Sequence, residues 1–279
     1  MTIKIIDVKL TFLFFLILPF LCLAQTPNFD YGTKSDQARE AYLRGWEEIL
    51  DLGEWTKAEE SYREAARLDP EFLLAWAQVG RISNDPAERA SIYNKLKSIQ
   101  ADSSWESKLL EVYLGSLELI DSKDRGIAIN PEQVTHFYEA SFKNFGDFLD
   151  LYPREIYVRA EYIEVIHSIH GAAAALDSIQ SDENLGIESN PFLISYKSQL
   201  WAELKDFDKA EEALEELKKR LSSNGFPSIA FTEAILNFEM GEWKKAEFLV
   251  NQTLSLDSKH TLAKRLKKQI EDRLKNQKD

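Results

Sequence analysis

The fold is decided by residues 53–70, which read GEWTKAEESYREAARLDP. The opening of this stretch returns at residues 241–246 as GEWKKA, and residues 205–210 carry a related form, KDFDKA. Within residues 53–70 the apolar and small residues recur three and four positions apart, which is the spacing of one face of an α-helix. A helical unit that recurs along the chain predicts an array of helix pairs.

The prolines after Pro27 indicate where helices begin. They are Pro70, Pro86, Pro131, Pro153, Pro191 and Pro227. Four of the six follow an aspartate or asparagine, whose side chain can accept a backbone hydrogen bond at a helix N-terminus. Proline tolerates the first helical position because its missing N–H would have no partner there. No segment alternates polar and apolar residues as a strand does. The sequence therefore predicts an all-α fold of about thirteen helices.

The repeated unit resembles the tetratricopeptide repeat. That family's pattern has a tight turn, an aromatic residue, a small residue three positions later, an aromatic or aliphatic residue four positions after that, and a closing proline. Small residues allow the two helices of a unit to approach closely. The resemblance implies an α-solenoid of about six TPR-like helix pairs with a C-terminal capping helix. The pattern is filled here by Trp55, Ala58, Tyr62, Ala65 and Pro70.

The resemblance also divides the chain. We expect the solenoid to span residues 38–279. Its repeats are clear over residues 38–84 and 190–257 and divergent over residues 85–189. Terminal repeats must cover the open apolar end of an array, and residues 259–276 have the apolar stripe of such a capping helix.

The N-terminus has the layout of a secretory signal peptide, residues 1–24. It begins with two lysines, continues with an apolar run over residues 10–21, and places small residues at Cys22 and Ala24, just before the polar Gln25. We therefore predict cleavage before Gln25 and export to the periplasm or out of the cell.

Two other interpretations of this segment stay open. In the first, the apolar run is an uncleaved membrane anchor, although it is shorter than the about 20 residues needed to cross a bilayer. Alternatively, Cys22 would carry a lipid, although residues 19–21 are not the small residues expected before such a cysteine. After cleavage we expect a flexible linker over residues 25–37 and no stable membrane insertion.

The predicted mature chain is acidic and has no thiol. The net charge of the full chain is −13, and it becomes −14 without residues 1–24, which carry two lysines and one aspartate. An acidic surface repels nucleic acid, so we predict no nucleic-acid partner. Cys22 is the only cysteine. Its loss excludes disulfides and cysteine chemistry from the mature chain.

Candidates for catalysis or metal binding are few. His167 and His170 are the only close histidine pair, and Glu164 stands three residues before His167, so one helix face could present Glu164 and His167 to a metal. In the repeat register the two histidines instead flank the turn before Gly171, which favours a structural role. The sequence has no Gly-rich phosphate loop, Gly-x-Ser-x-Gly elbow or His-Glu-x-x-His motif. We predict no catalytic residue, no metal site and no cofactor.

Repeat arrays bind ligands on the concave surface that the first helices of the units line. The resemblance thus implies a non-catalytic protein–protein interaction scaffold or adaptor whose ligand is a protein or peptide. Aromatic residues, an arginine and carboxylates mix on this surface, which suits a ligand with both apolar anchors and basic residues. The predicted groove residues are Glu47, Arg81, Tyr157, Glu161, Tyr196, Gln199 and Phe231.

One ligand class of the family is disfavoured. Members that clamp acidic chaperone tails use lysine and asparagine on their first helices. The matching face of the first unit here has Leu43 and Glu47. A carboxylate at this position would repel an acidic tail.

Two alternatives to this function remain. A glycan-binding helical-repeat protein of the cell envelope would use exposed aromatic faces, on which sugar rings stack. Three of the six tryptophans fall at repeat packing positions, which leaves Trp46, Trp105 and Trp201 for such a role. Separately, residues 259–279 hold eight Lys or Arg against three acids. They form either a solvated cap or a basic docking surface.

Overall fold

The computed structural model describes residues 29–100, 104–181, 187–222 and 225–276. These residues form thirteen α-helices and one π-helical turn, and no strand occurs among them. The all-α class predicted from the sequence is confirmed. The helices are α1 (Asp36–Trp46), α2 (Trp55–Leu68), α3 (Leu73–Ile82), α4 (Pro86–Lys97), α5 (Trp105–Asp124), α6 (Pro131–Leu151), α7 (Ile156–His170), α8 (Ala172–Ser181), α9 (Pro191–Glu203), α10 (Phe207–Leu221), α11 (Pro227–Glu239), α12 (Trp243–Leu256) and α13 (Thr261–Asn276), and the π-helical turn is Glu47–Asp51.

The helices pack in consecutive pairs. α1 packs along α2, α3 along α4, and so on to α11 and α12, while α13 packs on α12 at the end of the array. Successive pairs also touch through their first helices, as α3 does with α5 and α9 with α11. The described chain is therefore an α-solenoid of six TPR-like helix pairs with a capping helix, as the sequence predicts.

Four of the six prolines expected at helix starts occupy the first position of a helix. They are Pro86, Pro131, Pro191 and Pro227. Asp85 shows the expected cap, because its Oδ1 accepts a hydrogen bond from the Ala87 N–H at 2.8 Å. Pro70 and Pro153 differ from the prediction: each lies in the turn before its helix, three residues ahead of the first residue of α3 or α7.

The first helix pair shows why the repeat needs small residues. Ala58 on α2 is fully buried. A Cβ added to Gly45 on α1 would lie 2.6 Å from Cε1 of Tyr62. The Tyr62 ring also packs edge-on against Trp46, with centroids 5.9 Å apart. A larger residue at position 45 or 58 would push the two helices apart.

Residues 29–35 pack against the array, in contrast to the flexible linker predicted over residues 25–37. Phe29 is buried and contacts an aromatic ring of α6. Tyr31 is also buried, and its hydroxyl donates a hydrogen bond to Glu155. Two aromatic side chains in so short a segment favour burial over solvation.

The predicted signal peptide, residues 1–24, lies outside the described residues, as do residues 25–28. Cleavage and export therefore stay predictions. Over the ranges that the structure describes, no helix combines the length and the apolar character needed to cross a membrane.

The two ends of the array touch each other. The carbonyl of Leu52 accepts a hydrogen bond from the Ser228 N–H at the start of α11, at 3.0 Å. Thr56 donates twice to the Asp257 carboxylate, from its backbone N at 2.7 Å and from its Oγ1 at 2.8 Å. The superhelix is therefore closed, whereas the repeat pattern predicts an extended concave surface.

The π-helical turn brings Asp51 to the same contact region. Asp51 Oδ1 accepts hydrogen bonds from Asn190 Nδ2 at 2.9 Å and from the Phe192 N–H at 3.2 Å, at the start of α9. Burial raises the pKa of Asp51 to about 6, although these hydrogen bonds oppose the rise. We call the contacts of residues 51–59 with the starts of α9 and α11 and with the turn before α13 the closure junction.

Candidate functional site

A cavity of about 700 Å³ lies at the centre of the closed array. Its wall comes mainly from the first helices of the units, α3, α5, α7, α9 and α11, together with the end of α1 and with α13. A cavity of this size is in the range that holds ligands in proteins. Closure therefore turns the inner surface of the solenoid into a candidate binding site.

Five of the seven predicted groove residues line this cavity. Glu47 is exposed and Tyr157 half-buried, and neither belongs to its wall. Tyr157 instead stacks on Trp46, with ring centroids 6.1 Å apart. Ile49 and Leu50, three and four positions after Trp46, share its helix face and line the cavity where Glu47 does not. The five that line it are Arg81, Glu161, Tyr196, Gln199 and Phe231.

A partly buried ion pair forms part of the wall. Arg81 Nη2 lies 2.6 Å from Glu161 Oε1, and its Nη1 donates to Gln78 Oε1 at 2.8 Å. The guanidinium carbon lies 4.9 Å from the ring centroid of Tyr113 and 5.9 Å from that of Trp46. Two acceptors and two aromatic rings thus hold the guanidinium, so Arg81 serves the structure of the cavity.

Three polar groups beside this pair have no partner in the described part of the chain. Glu161 Oε2 and Gln78 Nε2 are buried without a hydrogen bond. The Glu164 side chain makes no hydrogen bond or ion pair there, and it faces the cavity. Burial raises the pKa of Glu164 to about 7, with a further rise from Glu161 that Arg81 opposes. We call Gln78, Arg81, Glu161 and Glu164 the cavity floor.

The histidine pair is placed differently from the prediction. His167 and His170 both lie in the last turn of α7, which continues up to Gly171, a residue with φ of +84°. His167 Nδ1 lies 2.7 Å from the Tyr196 hydroxyl, and its Nε2 lies 3.0 Å from Glu203 Oε2. His167 therefore joins α7 to α9. Among the residues that the structure describes, no three His, Cys, Asp or Glu side chains are grouped as a metal site would need.

The tryptophans considered for glycan stacking have little free ring surface. Trp46 is buried. The Lys108 ammonium lies 4.0 Å from the ring centroid of Trp105, and the Lys209 ammonium lies 4.1 Å from that of Trp201. A cation therefore already covers a face of each of the two rings outside the core.

His260 connects the cavity to the closure junction. It is 2% exposed and packs between Trp55 and Phe231, with ring centroids 5.6 and 4.6 Å away. Its Nδ1 accepts a hydrogen bond from the Ala263 N–H at 3.1 Å, which caps the start of α13. Burial lowers the pKa of His260 from 6.5 to about 4, although Asp257 opposes this.

We expect acid to destabilise the protein through His260. The folded-state pKa lies below that of the unfolded chain, so the unfolded chain binds more protons between pH 6.5 and 4. The free energy of unfolding therefore falls as the pH is lowered through this window, by about 3 kcal/mol in total. His260→Asn keeps a capping side chain but does not titrate. Urea unfolding of both proteins at about pH 4.5 and about pH 7 should show a smaller loss in the variant, and equal losses would contradict the expectation.

Three of these residues were missed as site residues in the sequence, although a signal existed for two. Glu164 stands one helical turn after the predicted groove residue Glu161 and so shares its helix face. His260 directly precedes α13, the position at which Asp or Asn caps other helices of this chain. Nothing in the sequence distinguishes Gln78 from a solvated glutamine.

The paired helices, the repeated turn-aromatic-alanine motif and the inner cavity define the class of this protein, an α-solenoid of tetratricopeptide-like repeats. Solved structures to which this chain is similar include a chain of the APC/C hetero-tetramer Cut9-Hcn1, at 14% identity and a TM-score of 0.43, over 84% of this chain and 46% of that one. This chain thus spans less than half of its length. Another is a tetratricopeptide repeat protein from Parabacteroides merdae, at 12% identity and a TM-score of 0.38, over 85% of this chain and 99% of that one. No protein-family model and no curated protein matches the sequence.

Proposed function

We propose that this protein is an exported, non-catalytic scaffold that binds a segment of a partner protein in its central cavity. The observation that carries the proposal is the composition of the cavity wall, where apolar rings such as Phe192 and Phe231 surround a polar floor. Apolar walls bury the anchors of a ligand, and a few fixed polar groups orient it.

The rim of the cavity also suits a protein ligand. α13 contributes Leu262, which is 39% exposed, together with the exposed residues Arg265 and Gln269. α5 contributes the exposed Lys123. An exposed apolar residue among charged and amide side chains is the usual make-up of the edge of a protein interface.

Export is supported by the signal-peptide layout of residues 1–24. The intact mass of the protein isolated from cells should correspond to a chain that begins at Gln25. A chain that keeps residues 1–24, or one that begins at a lipid-bearing Cys22, would overturn this part of the proposal and leave the cavity untouched.

Site-specific photo-crosslinking tests the cavity itself. A photoreactive residue at position 199 faces the cavity, and one at position 252 on α12 is exposed elsewhere on the surface. We expect a defined protein to be crosslinked from position 199 and not from position 252. With the photoreactive residue at position 235, which also lines the cavity, Gln199→Trp should abolish capture because it fills the cavity, whereas Gln252→Trp should not. Capture that is equal from positions 199 and 252, or that survives Gln199→Trp, would overturn the proposal.

A further inference from the structure

The cavity floor carries unbalanced charge. Glu161 and Glu164 lie three residues apart on α7, so they share one face of the helix. Arg81 pairs with Glu161 through Oε1 and leaves Oε2, on a residue only 7% exposed, without a partner. Glu164 makes no hydrogen bond or ion pair with any residue that the structure describes. Two carboxylates therefore face a single guanidinium.

This arrangement is unfavourable without a further positive group. A carboxylate that has lost much of its hydration needs a compensating charge or donor. The raised pKa of Glu164, caused by burial and then by Glu161, reflects that deficit. The unpartnered oxygens are all acceptors, so the group that would complete the floor is a positively charged donor.

We propose that Glu164, with the charge of Glu161 beside it, binds the ammonium group of a lysine side chain from the partner segment. This inference rests on the proposed function and names the residue by which the segment is anchored. The two oxygens of Glu164 accept hydrogen bonds from the ammonium, and the negative charge of Glu161, one helical turn away, adds to the attraction. Arg81 keeps its contacts with Glu161 Oε1 and Gln78.

The surroundings of the floor suit the rest of such a residue. Phe192 and Tyr196 line the cavity and stack with ring centroids 5.3 Å apart. Tyr196 is close enough to Glu164 for the carboxylate to raise its pKa, after the larger effect of burial. Aromatic surface of this kind covers the aliphatic stem of a lysine.

The charge of the whole chain also suits a basic segment. Its net charge is −13, so the field around it attracts a positively charged ligand.

Binding of n-butylammonium, which reproduces the lysine side chain, tests the site in the full mature chain. The carbon-13 resonance of the Glu164 carboxyl, assigned by its absence in Glu164→Gln, is followed by NMR. We expect n-butylammonium to shift this resonance saturably and to lower the pKa of Glu164 by about one unit. Uncharged n-butanol should cause no saturable shift. A resonance that responds alike to both compounds, or to neither, would overturn the inference.

Matched variants distinguish a loss of binding caused by the missing charge from one caused by a loss of stability. Glu164→Gln should bind n-butylammonium at least about tenfold more weakly, because it removes a charge-assisted hydrogen bond. Glu211→Gln, exposed on α10, should bind like the unaltered protein. The melting temperature of Glu164→Gln should not fall, since an amide replaces an unpaired carboxylate. Tighter binding of n-propylguanidinium than of n-butylammonium would indicate that the site prefers an arginine side chain, and it would overturn the assignment of lysine.

Crosslinking from position 235 distinguishes this inference from the proposed function. If both hold, Glu164→Gln reduces capture of the partner about tenfold or more. If Gln199→Trp abolishes capture but Glu164→Gln leaves it unchanged, the lysine site is wrong and the binding cavity stands. If n-butylammonium binds but no protein is captured from the cavity, the site serves a free amine, and a partner lysine is excluded.

Discussion

Replacing Arg81 by alanine should lower the free energy of unfolding by about 3–5 kcal/mol. The substitution leaves Glu161 and Glu164 on the cavity floor without any positive charge. It also removes the guanidinium that lies against the rings of Tyr113 and Trp46. The loss would come mainly from the buried Glu161 carboxylate, which would have no partner, so adding Glu161→Gln to Arg81→Ala should recover part of it.

An exposed arginine provides the control for this prediction. Arg44 pairs with Glu64, and the two side chains are 46% and 44% exposed. Ion pairs of this kind contribute less than about 1 kcal/mol, so Arg44→Ala should have a small effect. Urea unfolding of the three variants measures the differences. Similar losses for Arg44→Ala and Arg81→Ala would show that the floor is better hydrated than its burial indicates.

Gly53→Ala is expected to break the closure junction. Gly53 has φ of +74°, which disfavours any side chain, and an added Cβ would lie 2.7 Å from the backbone N of Ser228. The left-handed conformation costs about 1–2 kcal/mol for alanine. Overpacking against a backbone that cannot rotate away adds about 1–3 kcal/mol.

Gly241→Ala is a matched control, because Gly241 stands in the same Gly-Glu-Trp motif. Its φ is +83°, but nothing lies within 4 Å of an added Cβ. It should therefore show the conformational cost alone. Hydrogen exchange of the Ser228 amide, which donates to Leu52, should become faster in Gly53→Ala and stay slow in Gly241→Ala. Equal exchange in both variants would mean that the clash is relieved without opening the junction.

The helix pairs could be predicted because each motif residue acts within its own unit. Ala58 and Tyr62 pack against α1, the helix that immediately precedes them. Asp85, Asn130 and Asn190 each cap the helix that the following proline begins. These interactions are local in sequence, so they produce a repeated pattern that can be recognised in a single sequence.

The closure junction could not be predicted, since it depends on rotation accumulated over six units. Gly53 and Gly241 are indistinguishable in their motifs, yet only Gly53 meets a distant backbone. Asp51 contacts Asn190 from the end of a π-helical turn. No residue in that turn has a sequence signal that predicts it. In the sequence Glu164 resembles only a possible metal ligand beside His167, because its lack of a partner depends on how α7 packs beside Arg81 of α3.

The closure junction also bears on how the chain folds. In an open solenoid each repeat contacts only its neighbours, so folding can begin anywhere and propagate. Here Thr56 is bonded to Asp257, 201 residues later. Contacts over such separations raise the contact order and slow folding, because a long loop must be ordered before they form. They also couple the terminal units, so neither end can fray without removing contacts from the other, and the ring should unfold as one cooperative unit.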